Sequence, residues 1–168
     1  MILACDPGVT GALCSFDEKS MTLLSVMDMP TRPNKRIKNR RTVDTQGVTD
    51  WLLGHWQLGA RKFALEHVQG LPGQGAPSAF VFGYGFGYIL GQSRLMGYDV
   101  TLVRPQQWHS HHFARLQDLT VGNVKSKSIR KATGLMPAAA HHWARAKDHG
   151  RAEAALIAWY LAEKDKEA

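Results

Sequence analysis

Two short apolar runs, each ending on an acid, limit this chain most. Asp6 closes Ile2-Leu3-Ala4-Cys5 and Glu66 closes Phe63-Ala64-Leu65, while Asp148 and Glu153 open the last helical stretch. Two strand ends and one helix start can converge on a point. Like carboxylates brought together repel and lose hydration, so such a cluster persists only with a compensating cation. Carboxylate oxygens are hard ligands suited to Mg²⁺ or Mn²⁺, which points to metal-assisted phosphoryl chemistry. Singly, each acid has a plainer reading. Asp6 suits a turn, Glu66 a polar strand end, Asp148 a helix N-cap and Glu153 a solvated helix face.

The apolar runs at 2–5, 11–16 and 21–27 are separated by Asp6-Pro7-Gly8 and by 16–20, which is turn chemistry, and predict an antiparallel three-strand meander. A polar basic loop is expected from about Pro30 to Thr42, then a helix from the spacing of Val48, Trp51, Leu52 and His55 or Trp56. Strands follow at 63–65 and 100–103, with a Gly- and Pro-rich loop at 67–77 and the strongest helix pattern at 78–96. Within that helix Gly83, Gly87 and Gly91 lie one turn apart in a row with Ala79. Glycine costs up to ~1 kcal/mol inside a helix, so the stripe predicts close approach of the sheet or of a second subunit. Short helices are predicted near 105–114 and 125–133, an irregular stretch over 134–147, and a closing helix through Ala152, Ala155, Leu156 and Trp159. The order βββ-α-β-α-β-α predicts one α/β domain over residues 1–168, with three antiparallel and two parallel strands flanked by helices.

Charge is segregated. Segment 32–41 carries Arg32, Lys35, Arg36, Lys38, Arg40 and Arg41 with no acid, and 104–151 carries Arg104, Arg115, Lys125, Lys127, Arg130, Lys131, Arg145, Lys147 and Arg151 against Asp118 and Asp148. The net charge is +7, so the remainder of the chain is acidic overall. Basic arms around an acidic centre suit a polyanion whose phosphates carboxylates alone would repel; solvated surface loops are the plainer reading. No run approaches the ~18–20 apolar residues of a membrane span. The start at Met1 has no signal-peptide pattern, and Cys5 and Cys14 sit in apolar runs, which predicts buried reduced thiols and a cytoplasmic setting.

The ordered motifs Ile2-Leu3-Ala4-Cys5-Asp6-Pro7-Gly8 with Thr10-Gly11-Ala12, Leu65-Glu66-His67-Val68-Gln69, and Lys147-Asp148-His149-Gly150-Arg151-Ala152-Glu153 resemble the RuvC-type Holliday junction resolvases. Pro72-Gly73-Gln74-Gly75 and Val103-Arg104-Pro105 followed by Trp108 are similar to the phage-like branch. The resemblance implies a ribonuclease H-like fold and a homodimer in bacterial or phage-infected host cytoplasm. It also implies paired nicks across four-way DNA junctions with two Mg²⁺ ions, Mn²⁺ substituting, and no small-molecule cofactor. By that likeness Asp6, Glu66, Asp148 and Glu153 are the catalytic metal ligands, and the basic residues Arg32, Lys35, Arg36, Lys38, Arg40, Arg41, Arg104, Lys125, Lys127, Arg130, Lys131, Lys147 and Arg151 grip DNA.

The last motif departs from the family pattern, because Arg151 stands three residues after Asp148 and Glu153 five. Placing Asp148 before the helix, with a bend at Gly150, reconciles this. His149 shares a face with Glu153 and offers a replacement ligand or a proton carrier, or no role. An aromatic wedge is missing from 67–77, leaving Phe80, Phe82 or Leu71 as candidates. The histidines at 109, 111 and 112 read as loose surface residues rather than a metal site. Three other readings are open: a nuclease of other branched or hybrid substrates, an idle DNA-binding module of the same fold, and a sugar-kinase-like phosphotransferase suggested by Asp-x-Gly-x-Thr-Gly at 6–11.

Overall fold

The computed structural model describes residues 1–35, 40–70, 73, 75–114 and 124–167, with 124 and 125 described by backbone alone. Arg36, Lys38, Leu71, Pro72, Gln74, Arg115, Asp118 and the Lys125 side chain lie outside the described residues.

Strands β1 (Ile2–Asp6), β2 (Ala12–Asp17) and β3 (Thr22–Asp28) form the antiparallel meander that the turn residues predict. Asp17 closes its second turn by accepting from the Lys19 N–H at 3.0 Å and the Ser20 hydroxyl at 2.7 Å. Strands β6 (Lys62–Glu66) and β7 (Asp99–Val103) add in parallel, giving the order β3-β2-β1-β6-β7.

Successive strand residues face opposite sides, so the sheet builds two cores. Leu3, Cys5, Phe63 and Leu65 pack with Val48 and Leu52 of α1 (Thr45–Gln57) and Ile89 of α2 (Ala76–Leu95). Ile2, Ala4, Ala64 and Val103 face the other way, toward α3 (Pro105–Phe113), α4 (Val124–Leu135) and α5 (His149–Glu167). Helix α5 is rich in alanine, the strongest helix former. Ala152, Ala154, Ala155, Ala158 and Ala162 are buried with Leu156 and Ile157, so its backbone lies close to β1 and β2.

Three expectations are corrected. The basic loop has a paired base, because Thr31–Pro33 (β4) and Arg41–Val43 (β5) form a hairpin. β-Branched Thr31, Thr42 and Val43 favour strand, and Arg41 binds Thr31 through Oγ1 at 2.7 Å and the carbonyl at 2.6 Å. The stretch after α4 contains two 3₁₀ segments, Pro137–Trp143 and Ala146–Asp148, the first anchored by buried Trp143 donating to Thr133 Oγ1 at 3.0 Å. The glycine stripe of α2 does not meet the sheet: among the described residues, a Cβ at Gly83, Gly87 or Gly91 would enter open space. The close approach occurs instead at Gly85, where a Cβ would lie 2.8 Å from Val43 Cγ2.

Cys5 and Cys14 are buried and unpaired, and burial raises both thiols, Cys14 to about 12. Among the described residues no helix is long and apolar enough to cross a membrane.

Candidate metal centre at the sheet rim

The site begins with the pairing of β1 and β6. Ala4 lies opposite Ala64 and Cys5 opposite Leu65, and the next residue on each strand is an acid, Asp6 and Glu66. Parallel neighbours are ~4.8 Å apart, and alternation turns both acids to the face that α5 covers. This is the carboxyl edge of the parallel strands, where open α/β sheets bind ligands.

Each carboxylate is held. Asp6 Oδ1 accepts from the Gly8 N–H at 3.3 Å, and Glu66 Oε1 accepts from Trp108 Nε1 at 2.9 Å. Burial, reinforced by the Asp6 charge, pushes Glu66 from its ordinary 4.5 up to about 7, against the pull of the Trp108 N–H. Burial also raises Asp6, while the Gly8 N–H and the charge of His149 act to lower it. The pair is therefore short of positive charge, the condition that a divalent cation relieves.

Helix α5 closes over this edge at glycine contacts. A Cβ at Gly150 would lie 2.5 Å from the Thr10 carbonyl oxygen, and one at Gly11 would collide with the Asp6 carbonyl oxygen. Gly150 is helical, so it serves close approach and not the expected bend. The contact brings buried His149 within electrostatic reach of Asp6, with its Nδ1 donating to the Ala146 carbonyl at 3.3 Å.

The other two predicted ligands are engaged elsewhere. Asp148 precedes α5, and Arg145 grips both its oxygens at 2.9 Å, which holds its carboxyl below the ordinary range. Glu153 Oε1 accepts from Ser128 at 3.1 Å. The fold thus pairs Asp6 with Glu66 and sets His149 within electrostatic reach of Asp6, while Arg145 holds Asp148 and Ser128 donates to Glu153. Among the described residues no group of three or more His, Cys, Asp or Glu side chains is assembled as a metal site. The donors present, two hard carboxylates lacking countercharge, fit one divalent ion; a second requires donors from α5.

Trp108 joins the site without having been singled out for it by the sequence motifs. Its signal lay in position: Glu66 pairs with Val103, and a helix opened by Pro105 just after β7 must turn its first residues toward Glu66. The histidines of α3 are not loose either. His112 is buried and its Nε2 donates to the Leu156 carbonyl at 2.8 Å, with burial lowering it to about 4, and His111 pairs with Glu163 at 2.5 Å. Both fasten α3 to α5.

A cleft of about 550 Å³ is lined by His67, the residue after Glu66, with Val68, Gln69, Phe82, Arg104, Pro105 and Gln106. Phe82 lines this cleft, whereas Phe80 is 75% exposed on α2. Arg32, Lys35, Arg40, Arg41, Arg104, Arg130 and Lys147 are exposed. Lys127, Arg130 and Lys131 line a cavity of about 310 Å³ under Phe113. Arg151 is committed to Asp28 at 2.6 and 2.8 Å.

The sheet order and its helical layers define an α/β fold of the ribonuclease H-like type. No family model matches the sequence and no curated protein does. Among solved structures, T. thermophilus RuvC in complex with Holliday junction substrate is similar at a TM-score of 0.66 and 16% identity, over 99% of this chain and 96% of that one. Thermus thermophilus RuvC also matches at 0.61 and 17%, over 99% and 95%. At such identity the likeness shows the fold.

Proposed function

We propose that this chain is a divalent-metal-dependent endonuclease that nicks branched DNA, with four-way junctions as its substrate, related to the phage-like branch of RuvC-type resolvases. One observation carries the reading: Asp6 and Glu66 end adjacent parallel strands on one face, where burial and then the Asp6 charge raise Glu66 to about 7. The solved relative of the same fold holding a Holliday junction substrate supports the choice of DNA.

Asp6 and Glu66 would hold the ion, Mg²⁺ or Mn²⁺, with His149 beside Asp6. A second ion would draw on α5 through Glu153, once released from Ser128, or through Asp148. When bound, divalent ions activate a water and stabilise a leaving oxygen. The chain's own residues orient the scissile phosphate. Arg104 at the cleft mouth offers a forked donor to the strand. Exposed Arg32, Lys35, Arg40 and Arg41 supply backbone contacts, and Phe82, which lines the cleft, is the wedge candidate.

Paired nicks call for two such sites, and the exposed face of α2 is the proposed dimer contact. Phe80 at 75%, Tyr84 at 46% and Leu95 at 82% exposure flank glycines with open space above them. The acting protein is assigned to the cytoplasm, where its DNA would lie.

A labelled synthetic four-way junction with Mg²⁺ or Mn²⁺ tests the reading. Wild type is expected to nick opposing strands, and Asp6→Asn to bind the junction without cutting. Full activity of Asp6→Asn removes the mechanism. Equal rates on junction, linear duplex and RNA–DNA hybrid remove the selectivity.

A further inference from the structure

Trp108 is 1% exposed, at the start of the short helix that follows β7. Its indole is enclosed by His109 at 4.0 Å, His112 at 6.3 Å and Phe113 at 6.4 Å between ring centroids. Its one polar atom, Nε1, donates to Glu66 Oε1 at 2.9 Å. An indole has one donor and no acceptor, so this ring in this place serves a single acceptor. Helix α3, which carries it, is fixed to α5 through His112 to the Leu156 carbonyl at 2.8 Å and His111 to Glu163 at 2.5 Å.

From this geometry we infer that Trp108 is a positioning residue for Glu66: its N–H fixes Oε1 and so orders in advance the carboxylate that would hold the cation with Asp6. The inference rests on the proposed metal role of Asp6 and Glu66. A glutamate at a strand end has three rotatable side-chain bonds, and an unrestrained carboxylate must be ordered each time an ion binds. Burying the donor in a rigid ring completes that ordering in advance. It also sets the order of dependence: Glu66 is oriented by α3, and α3 by α5, the helix that carries His149. Outer partners of metal-binding carboxylates typically govern affinity by 10–100-fold.

The test uses the full chain without DNA. Mn²⁺ binding is measured by calorimetry or spin resonance for wild type and Trp108→Phe, which keeps an aromatic ring and removes the N–H. The expected result is a dissociation constant weakened about tenfold or more in the variant. In parallel, the indole N–H resonances of the wild type are followed during Mg²⁺ titration, with Trp108 assigned through its contacts to His109 and Phe113. Its signal should shift saturably in wild type and stay fixed in Glu66→Gln. This arm stands even where Trp108→Phe folds poorly. Equal Mn²⁺ affinity in the two chains, or an unmoved Trp108 resonance at Mg²⁺ saturation, overturns the positioning role and leaves the metal reading intact. Failure of the wild type to bind either ion overturns both.

Discussion

Replacing Glu66 with glutamine should make the metal-free chain more stable at pH 8, while removing its response to metal. In the folded protein Glu66 is raised from 4.5 to about 7, first by burial and then by Asp6; unfolding returns it to its ordinary value. The folded state thus holds the proton more tightly. The stability this brings is complete below pH 4.5 and is lost as pH rises through about 7. Above that point the folded chain carries the ionised group at a cost of about 3–4 kcal/mol, each pH unit of displacement being worth roughly 1.4. Glutamine keeps an oxygen for the Trp108 N–H and carries no charge. For a chain of this size the gain corresponds to about 7–14 °C in melting temperature. Melts in EDTA at pH 5 and pH 8 measure it. The two chains should nearly coincide at pH 5 and separate at pH 8, and Mn²⁺ should stabilise only the wild type. Coincident melts at pH 8 would refute the claim that these carboxylates lack a countercharge.

Metal binding by the wild type should strengthen as pH rises through about 7, where the proton leaves Glu66; a flat pH profile of Mn²⁺ affinity would count against that residue as a ligand. Gly150→Ala should cost about 1–3 kcal/mol in urea unfolding, because its Cβ meets backbone atoms of Thr10 and Gly11 that cannot swing aside; an unchanged midpoint would show that α5 is not seated there. Neutralising Arg32, Lys35, Arg40 and Arg41 should flatten the salt dependence of junction affinity by about one unit of log–log slope for each phosphate they bind; an unchanged slope means that the hairpin points away from DNA. Phe80→Ser with Tyr84→Ser should convert a dimer to a monomer in sedimentation at micromolar concentration, and a wild type already monomeric there ends the dimer proposal.

The strand-borne part of the site was legible because β1 and β6 are short apolar runs with an acid at the end, and parallel pairing carries both acids to one edge. The helix-borne part was not. Whether Asp148 faces Asp6 or turns away depends on Arg145, three residues earlier, folding back over a 3₁₀ turn, and no periodicity encodes that. Glu153 meets Ser128 through the packing of α4 on α5, a contact between distant segments. The glycine stripe left its neighbour open for another reason. Spacing reveals a smooth helix face but not what lies above it, and the chain itself uses the off-stripe Gly85. The histidines of α3 read as loose because their partners, Leu156 and Glu163, are more than forty residues away.

The register of β1 on β6 gives the two halves of this centre different mechanical standing. Separating Asp6 from Glu66 means breaking the central ladder of the sheet, so that spacing is as durable as the fold itself. The donors on and before α5 are steered by side chains, Arg145 and Ser128 among them, which a point change can remove. Any tuning of this centre, by evolution or by design, would therefore act on the helix side and leave the strand side as its fixed anvil.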